Sequence, residues 1–206
     1  RALSRRAPSG GDRVAWVGGI SDPHLPAVRS ELETVSRHLS GWRVERVTEP
    51  TRASFFEAAP EAGLIHLATH GLLREDNPLF SHLQLSDGPL FVHDLAELRL
   101  PGSVVVLTAC SSGRGQRLAG DEWVGLAHSF HQAGASTVVT SLLPVEDGAP
   151  GLLMRPFHRP PSSGTAVPVA LHGAMAEARR QLGHPWQWAS FTSSGAVSTG
   201  PPADDP

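Results

Sequence analysis

Short apolar runs rich in β-branched residues, separated by stretches of helical spacing, narrow the fold of this chain more than any other feature. Arg13 to Val17 (RVAWV), Gly63 to Ala68 (GLIHLA), Ser103 to Ala109 (SVVVLTA) and Ser136 to Leu143 are strand-length and too short to be helices. Trp42 to Val47 alternates as a strand does. Between them, Val28, Leu32, Val35 and Leu39 recur at helical spacing within 26–39. Residues 51–59, 124–133, 147–158 and 165–182 also read as helices, the second of these ending at Gly134. Leu83 to Leu85 and Leu90 to Val92, around Gly88, predict a hairpin, and Trp186 to Thr192 a final strand. Apolar strands alternating with helices imply an α/β fold: a mostly parallel central sheet with helices on both faces.

A chain of 206 residues can bury one sizeable core. With 40% hydrophobic and 18% charged residues, it is not compositionally disordered. A net charge of -3 offers nucleic acid and anionic lipid no electrostatic attraction, and no apolar run approaches the length of a membrane span. All 17 basic residues are arginine. The single cysteine excludes an intramolecular disulfide and fits a cytoplasmic, reducing setting. Residues 1–12 are expected to be a linker from an N-terminal region that is absent, since the chain opens on Arg1. Residues 13–195 are expected to form the folded domain and 196–206 a disordered tail.

Ligands of open parallel sheets bind beyond the carboxyl ends of the strands. Two strand ends here carry reactive side chains: GLIHLATHG delivers His70 before Gly71, and SVVVLTACSSG delivers Cys110 before a Ser/Gly loop. If the strands are neighbours, both side chains emerge at one edge. A thiol needs help to become a nucleophile at neutral pH, and an imidazole can take its proton and later hand it to a leaving amine. A developing oxyanion needs backbone N–H donors, and Gly71 permits close approach. Against this, a lone cysteine closing a strand is ordinarily a small buried hydrophobe. The residues alone leave both readings open.

Metal ligation is a second possibility. His66 and His70 show an H-x-x-x-H spacing, but on a strand such positions lie far apart, and the Glu of H-E-x-x-H is absent. His128 and His131 lie three apart on a helix and are read as solvent-facing or partly packed. No G-x-S-x-G, P-loop or G-x-G-x-x-G occurs, which disfavours a serine hydrolase, a P-loop NTPase and a dinucleotide enzyme. Trp16, Trp42, Trp123, Trp186 and Trp188 read as core.

The strings IHLATHG (65–71), NPLFSHLQLSDG (77–88), VVVLTACSSGRG (104–115), GDEWVGLAHSFHQAGASTVVTSLLPVED (120–147) and HPWQWASFTSSG (184–195) together resemble the CHAT domain, a caspase-like peptidase domain related to separase. LPAVRSELETVSRHL (25–39) is similar to its first helix. The resemblance implies a caspase-like three-layer α/β sandwich and a His70–Cys110 dyad. It also implies an oxyanion hole from the backbone N–H groups of Gly71 and Cys110. An acidic residue matching Asp147 receives a basic P1 side chain in relatives such as separase. Carried over, this implies cleavage after Arg, with Glu146 adjacent and helix capping by Asp147 as the plainer reading. Leu143 stands where the family commonly has Trp, and prolines interrupt 148–158 where it has a regular helix.

The expected function is therefore that of a cysteine endopeptidase acting on a protein or peptide substrate, without a cofactor, under the control of a helical-repeat region or activator. A catalytically inactive scaffold for protein contact and a metal-dependent hydrolase using His66, His70, His128 or His131 are the alternatives. Thiol labelling discriminates the first and metal content the second.

Overall fold

The computed structural model describes residues 13–74, 76–108, 110–111, 121–141, 148–159 and 165–196, with Cys110, Ser111 and residues 121–124 described by their backbone. In chain order, β1 (Val14–Gly19) leads to α1 (Val28–His38), β2 (Arg43–Thr48), α2 (Arg52–Ala58) and β3 (Leu64–Ala68). Three short strands follow: β4 (His70–Leu72), β5 (His82–Leu85) and β6 (Gly88–Phe91). Then come β7 (Val104–Leu107), β8 (Cys110–Ser111), α3 (Asp121–Gln132) and β9 (Thr137–Ser141). The chain closes with α4 (Ala149–Phe157), α5 (Val167–Ala178), α6 (Pro185–Trp188) and β10 (Phe191–Gly195).

The main sheet has six strands in the order β10-β9-β7-β3-β1-β2, parallel except for β10, which runs antiparallel to β9. A second sheet has the order β6-β5-β4-β8. Side chains alternate across the main sheet. Trp16, Ile65, Leu67, Val105, Leu107 and Val138 pack in one core with Phe55 of α2 and Phe130 of α3. Val17, Leu64, Val106 and Val139 face the other way, into a core with Leu32 of α1, Leu153 of α4 and Leu171 of α5. The inner strands β1, β3, β7 and β9 are thus buried on both faces, as their near-continuous apolar sequences require, while the edge strand β2 is largely exposed, and the architecture is the expected three-layer α/β sandwich.

Two glycines at the end of β1 allow this closeness. A Cβ on Gly18 would lie 2.3 Å from the Trp16 ring, and one on Gly19 would lie 2.6 Å from the Ala68 carbonyl and 2.8 Å from Val28 of α1.

The end of the chain differs from the sequence expectation. Trp186 to Thr192 is not one strand: PWQW turns as α6, and β10 begins only at Phe191. Pro185 suits a first helical turn, where no N–H is needed, and Gln187 accepts the backbone N–H of His184 at 3.1 Å. The tryptophans are not all core either: Trp16 is fully buried, but Trp186 is 51% exposed with its ring 3.9 Å from that of His184. The prolines of 148–158 do not prevent a helix: Pro150 occupies the first turn of α4, and Pro156 lies inside the helix but one residue from its end at Phe157. Residues 1–12 and 197–206 lie outside the described residues. Ala196 donates its N–H to the Ser136 carbonyl at 2.9 Å.

Candidate active site

β3 and β7 are paired neighbours in the main sheet, Leu67 opposite Leu107, and each continues from its carboxyl end into the second sheet. After β3, buried Thr69 gives its hydroxyl to the Gln84 carbonyl, and β4 begins at the next residue. After β7, Thr108 donates its N–H to the Leu67 carbonyl at 3.1 Å, and β8 begins at Cys110. β4 and β8 then pair in parallel, with His70 opposite Cys110 and Gly71 opposite Ser111. Paired strands run about 4.8 Å apart. The ladder therefore sets the backbones of the two expected dyad residues side by side, at the carboxyl edge where sequence reasoning looked for them.

His70 is held by a residue that sequence reasoning missed. Its Nε2 lies 2.8 Å from Oδ2 of Asp22, which sits in the loop leaving β1. Oδ1 of Asp22 accepts the backbone N–H groups of His24 at 2.7 Å and Leu25 at 3.0 Å. Burial pushes the Asp22 carboxyl up, but the hydrogen bonds from His70 and from the two N–H groups pull it down further, and the balance lies below its ordinary 3.8. A carboxylate only accepts, so the proton of a neutral His70 ring sits on Nε2. Nδ1 is then the basic nitrogen. It is buried and has no hydrogen-bond partner among the described residues. Asp22 follows the end of β1, and only the pairing of β1 with β3 brings it to His70.

Gly71 lies within β4, between Leu83 of β5 and Ser111 of β8. Asp147, Glu146 and Leu143 lie outside the described residues, and the N-cap position of α4 falls on Gly148. The histidines considered as metal ligands are engaged otherwise. His66 is buried with Nε2 2.9 Å from Glu31 Oε1. His131 contacts the Ala135 carbonyl and the Ser194 hydroxyl, each at 2.9 Å. His128 is exposed beside Gln132. Among the described residues no group of three or more His, Cys, Asp and Glu is placed to hold a metal ion.

A six-stranded, mostly parallel sheet that hands two adjacent strands to a small second sheet defines a caspase-like α/β domain. The chain belongs to the CHAT domain family, whose model matches residues 3–196. It is 30% identical over 105 residues to human tetratricopeptide repeat protein 28, a match covering 50% of this chain and 4% of that protein. The structure is similar to that of the Arg-specific cysteine proteinase gingipain R (RgpB), with a TM-score of 0.65 at 10% identity, over 91% of this chain and 46% of that one. It is similarly close, at TM-score 0.62 and 10% identity, to a chain of the complex of Porphyromonas gingivalis RgpB pro- and mature domains, covering 91% of this chain and 48% of that chain. The chain thus spans less than half the length of each relative. No helix among the described residues is long and apolar enough to cross a membrane.

Proposed function

We propose that this chain is a cysteine endopeptidase that cleaves a protein partner after arginine, with Cys110 as nucleophile and His70 as its base. The observation that carries this reading is the register of His70 against Cys110 on neighbouring parallel strands. The Cys110 thiolate attacks the carbonyl carbon of the scissile peptide. The resulting oxyanion accepts hydrogen bonds from the N–H groups of Gly71 and Cys110. The C–N bond breaks as protonated His70 gives its proton to the leaving amine. A water molecule, deprotonated by His70, then hydrolyses the thioester and returns the thiol. Asp22 keeps the ring oriented and favours the imidazolium formed on the way.

Asp147 is the proposed acceptor for the P1 guanidinium, a pairing that discriminates strongly when partly dry. The arginine specificity stated for gingipain R makes arginine the first P1 residue to try. A helical-repeat region or activator is the proposed regulator, in keeping with the tetratricopeptide repeats in the name of the human relative. The cytoplasm is the proposed location.

A peptide library incubated with wild type and Cys110→Ala tests the reading. Cleavage after Arg that is lost in the variant is expected. Cleavage after another residue would retain the dyad and remove Asp147 from the P1 pocket. Absence of both cleavage and Cys110 labelling would point to the inactive scaffold.

A further inference from the structure

Behind the dyad, in the layer of α1 and α4, four polar side chains are buried to 5% exposure or less: Glu31, His66, Thr108 and His158. Oε1 of Glu31 accepts the Thr108 hydroxyl at 2.6 Å and lies 2.9 Å from Nε2 of His66. Nδ1 of His66 lies 3.2 Å from Nε2 of His158. One set of protons satisfies every contact: His158 donates to His66, and His66 and Thr108 both donate to Glu31. Burial first, and then the neighbouring imidazoles of His66 and His38, hold His158 well below the ordinary histidine value of 6.5. His158 is therefore neutral at neutral pH, as this arrangement needs.

Membership of the cluster follows the site. Glu31 is on α1, the helix entered from the Asp22 loop. His66 is on β3, which runs into His70. Thr108 lies two residues before Cys110. His158 closes α4, the helix that follows Asp147. Each segment carrying a proposed site residue thus sends one polar side chain to a common point. Aliphatic side chains would fill the same space without the cost of burying a carboxylate and two imidazoles. What this cluster adds over an apolar core is direction. Thr108 in particular is pinned twice, by its N–H on Leu67 and by its hydroxyl on Glu31.

We propose that this cluster is a positioning device for the dyad, fixing the ends of β3 and β7 against each other so that Cys110 meets His70, with Thr108 as the positioning residue nearest the nucleophile. The proposal deepens the peptidase reading and rests on it.

The chain has one cysteine, so iodoacetamide alkylation, in which the thiolate sulfur displaces iodide, reports Cys110 alone. The rate is measured by mass spectrometry against pH for the folded chain, with the urea-unfolded chain as reference. A thiolate paired with an imidazolium reacts far below the range of a free thiol, whose pKa is about 8.5. The folded wild type is expected to show that acidic reactivity. Thr108→Val and Thr108→Ala are expected to lose about tenfold of it, in the range outer-shell partners carry. Thr108→Ser, which restores the hydroxyl, is expected to recover it at a similar melting temperature. A wild-type profile in both Thr108→Val and Thr108→Ala would overturn the positioning role and leave the dyad standing. Loss that serine does not restore would also overturn it, because packing would then be the cause. A folded wild type that titrates like the unfolded chain would overturn the dyad itself, and this proposal with it.

Discussion

Asp22 uses both carboxylate oxygens, one for His70 and the other for two backbone N–H groups, so its position is set by its own loop and not by the imidazole. Replacing it with Asn keeps the size but removes the charge and introduces an N–H donor, so the ring is no longer held to one tautomer. Asp22→Asn is expected to lower kcat about 10- to 100-fold with KM little changed, the pattern of an interaction made in the transition state. Steady-state kinetics on the peptide selected by the library check this. That His70 and Cys110 close strand ends was legible in the sequence because the signal is local: an apolar strand followed at once by a reactive residue and a Gly or Ser loop. The sheet makes those strands neighbours. Asp22 was not legible, because its role depends on β1 lying beside β3, a pairing that no stretch of sequence declares. The same holds for His66, rightly placed on a strand, whose partner Glu31 lies on α1, with β2 and α2 between them in the chain.

At the scale of elements, α2 shows how the small second sheet is tied to the main body. Thr51 caps the helix, its hydroxyl accepting from Ser54 N–H at 3.1 Å while the Ser54 hydroxyl accepts from Thr51 N–H at 3.0 Å. From the first turn, the Arg52 guanidinium reaches the Pro89 carbonyl at 2.6 Å and Asp94 at 2.5 Å, across the β5–β6 hairpin. The Arg52 hydrogen bond, against the pull of burial, holds the Asp94 carboxyl below its ordinary 3.8. Asp94→Asn is expected to cost about 1 kcal/mol, the upper end for a pair with one partly exposed member. Because the folded value is depressed, this contribution is complete above about pH 3.8 and fades as the pH falls below it. Urea unfolding of wild type and variant at pH 7 and pH 3 checks both the size and the sign. Element types were largely legible, because strands buried on both faces read as short, β-branched apolar runs while helices carry an apolar stripe over a longer stretch. The failure at 186–192 is also physical: aromatic residues favour strands, but Pro185 at the first turn outweighs that preference.

For the whole molecule, burial of His158 makes folding sensitive to mild acid. Its folded value is depressed, so the unfolded chain takes up a proton below about pH 6.5 that the folded chain does not. Stability from this group is complete above that pH. Below it, about 1.4 kcal/mol is lost per pH unit until His158 is protonated in the folded state. Urea unfolding of wild type at pH 7.5 and 5.5 is expected to show this loss, and His158→Gln to show a flatter slope. The sheet order, unlike the elements, was beyond sequence reading, since it is decided by crossovers and not by local pattern.

The separation of His70 and Cys110 is set by rungs between β3 and β7 and between β4 and β8, while the chain from Leu72 to Ser103 leaves and returns without entering that spacing. The excursion is nonetheless tied to the pair, because β5 lies against β4 with Leu83 opposite Gly71 and the Gln84 carbonyl takes the Thr69 hydroxyl. A change in the hairpin therefore reaches His70 through one shared ladder, with no linker to absorb it.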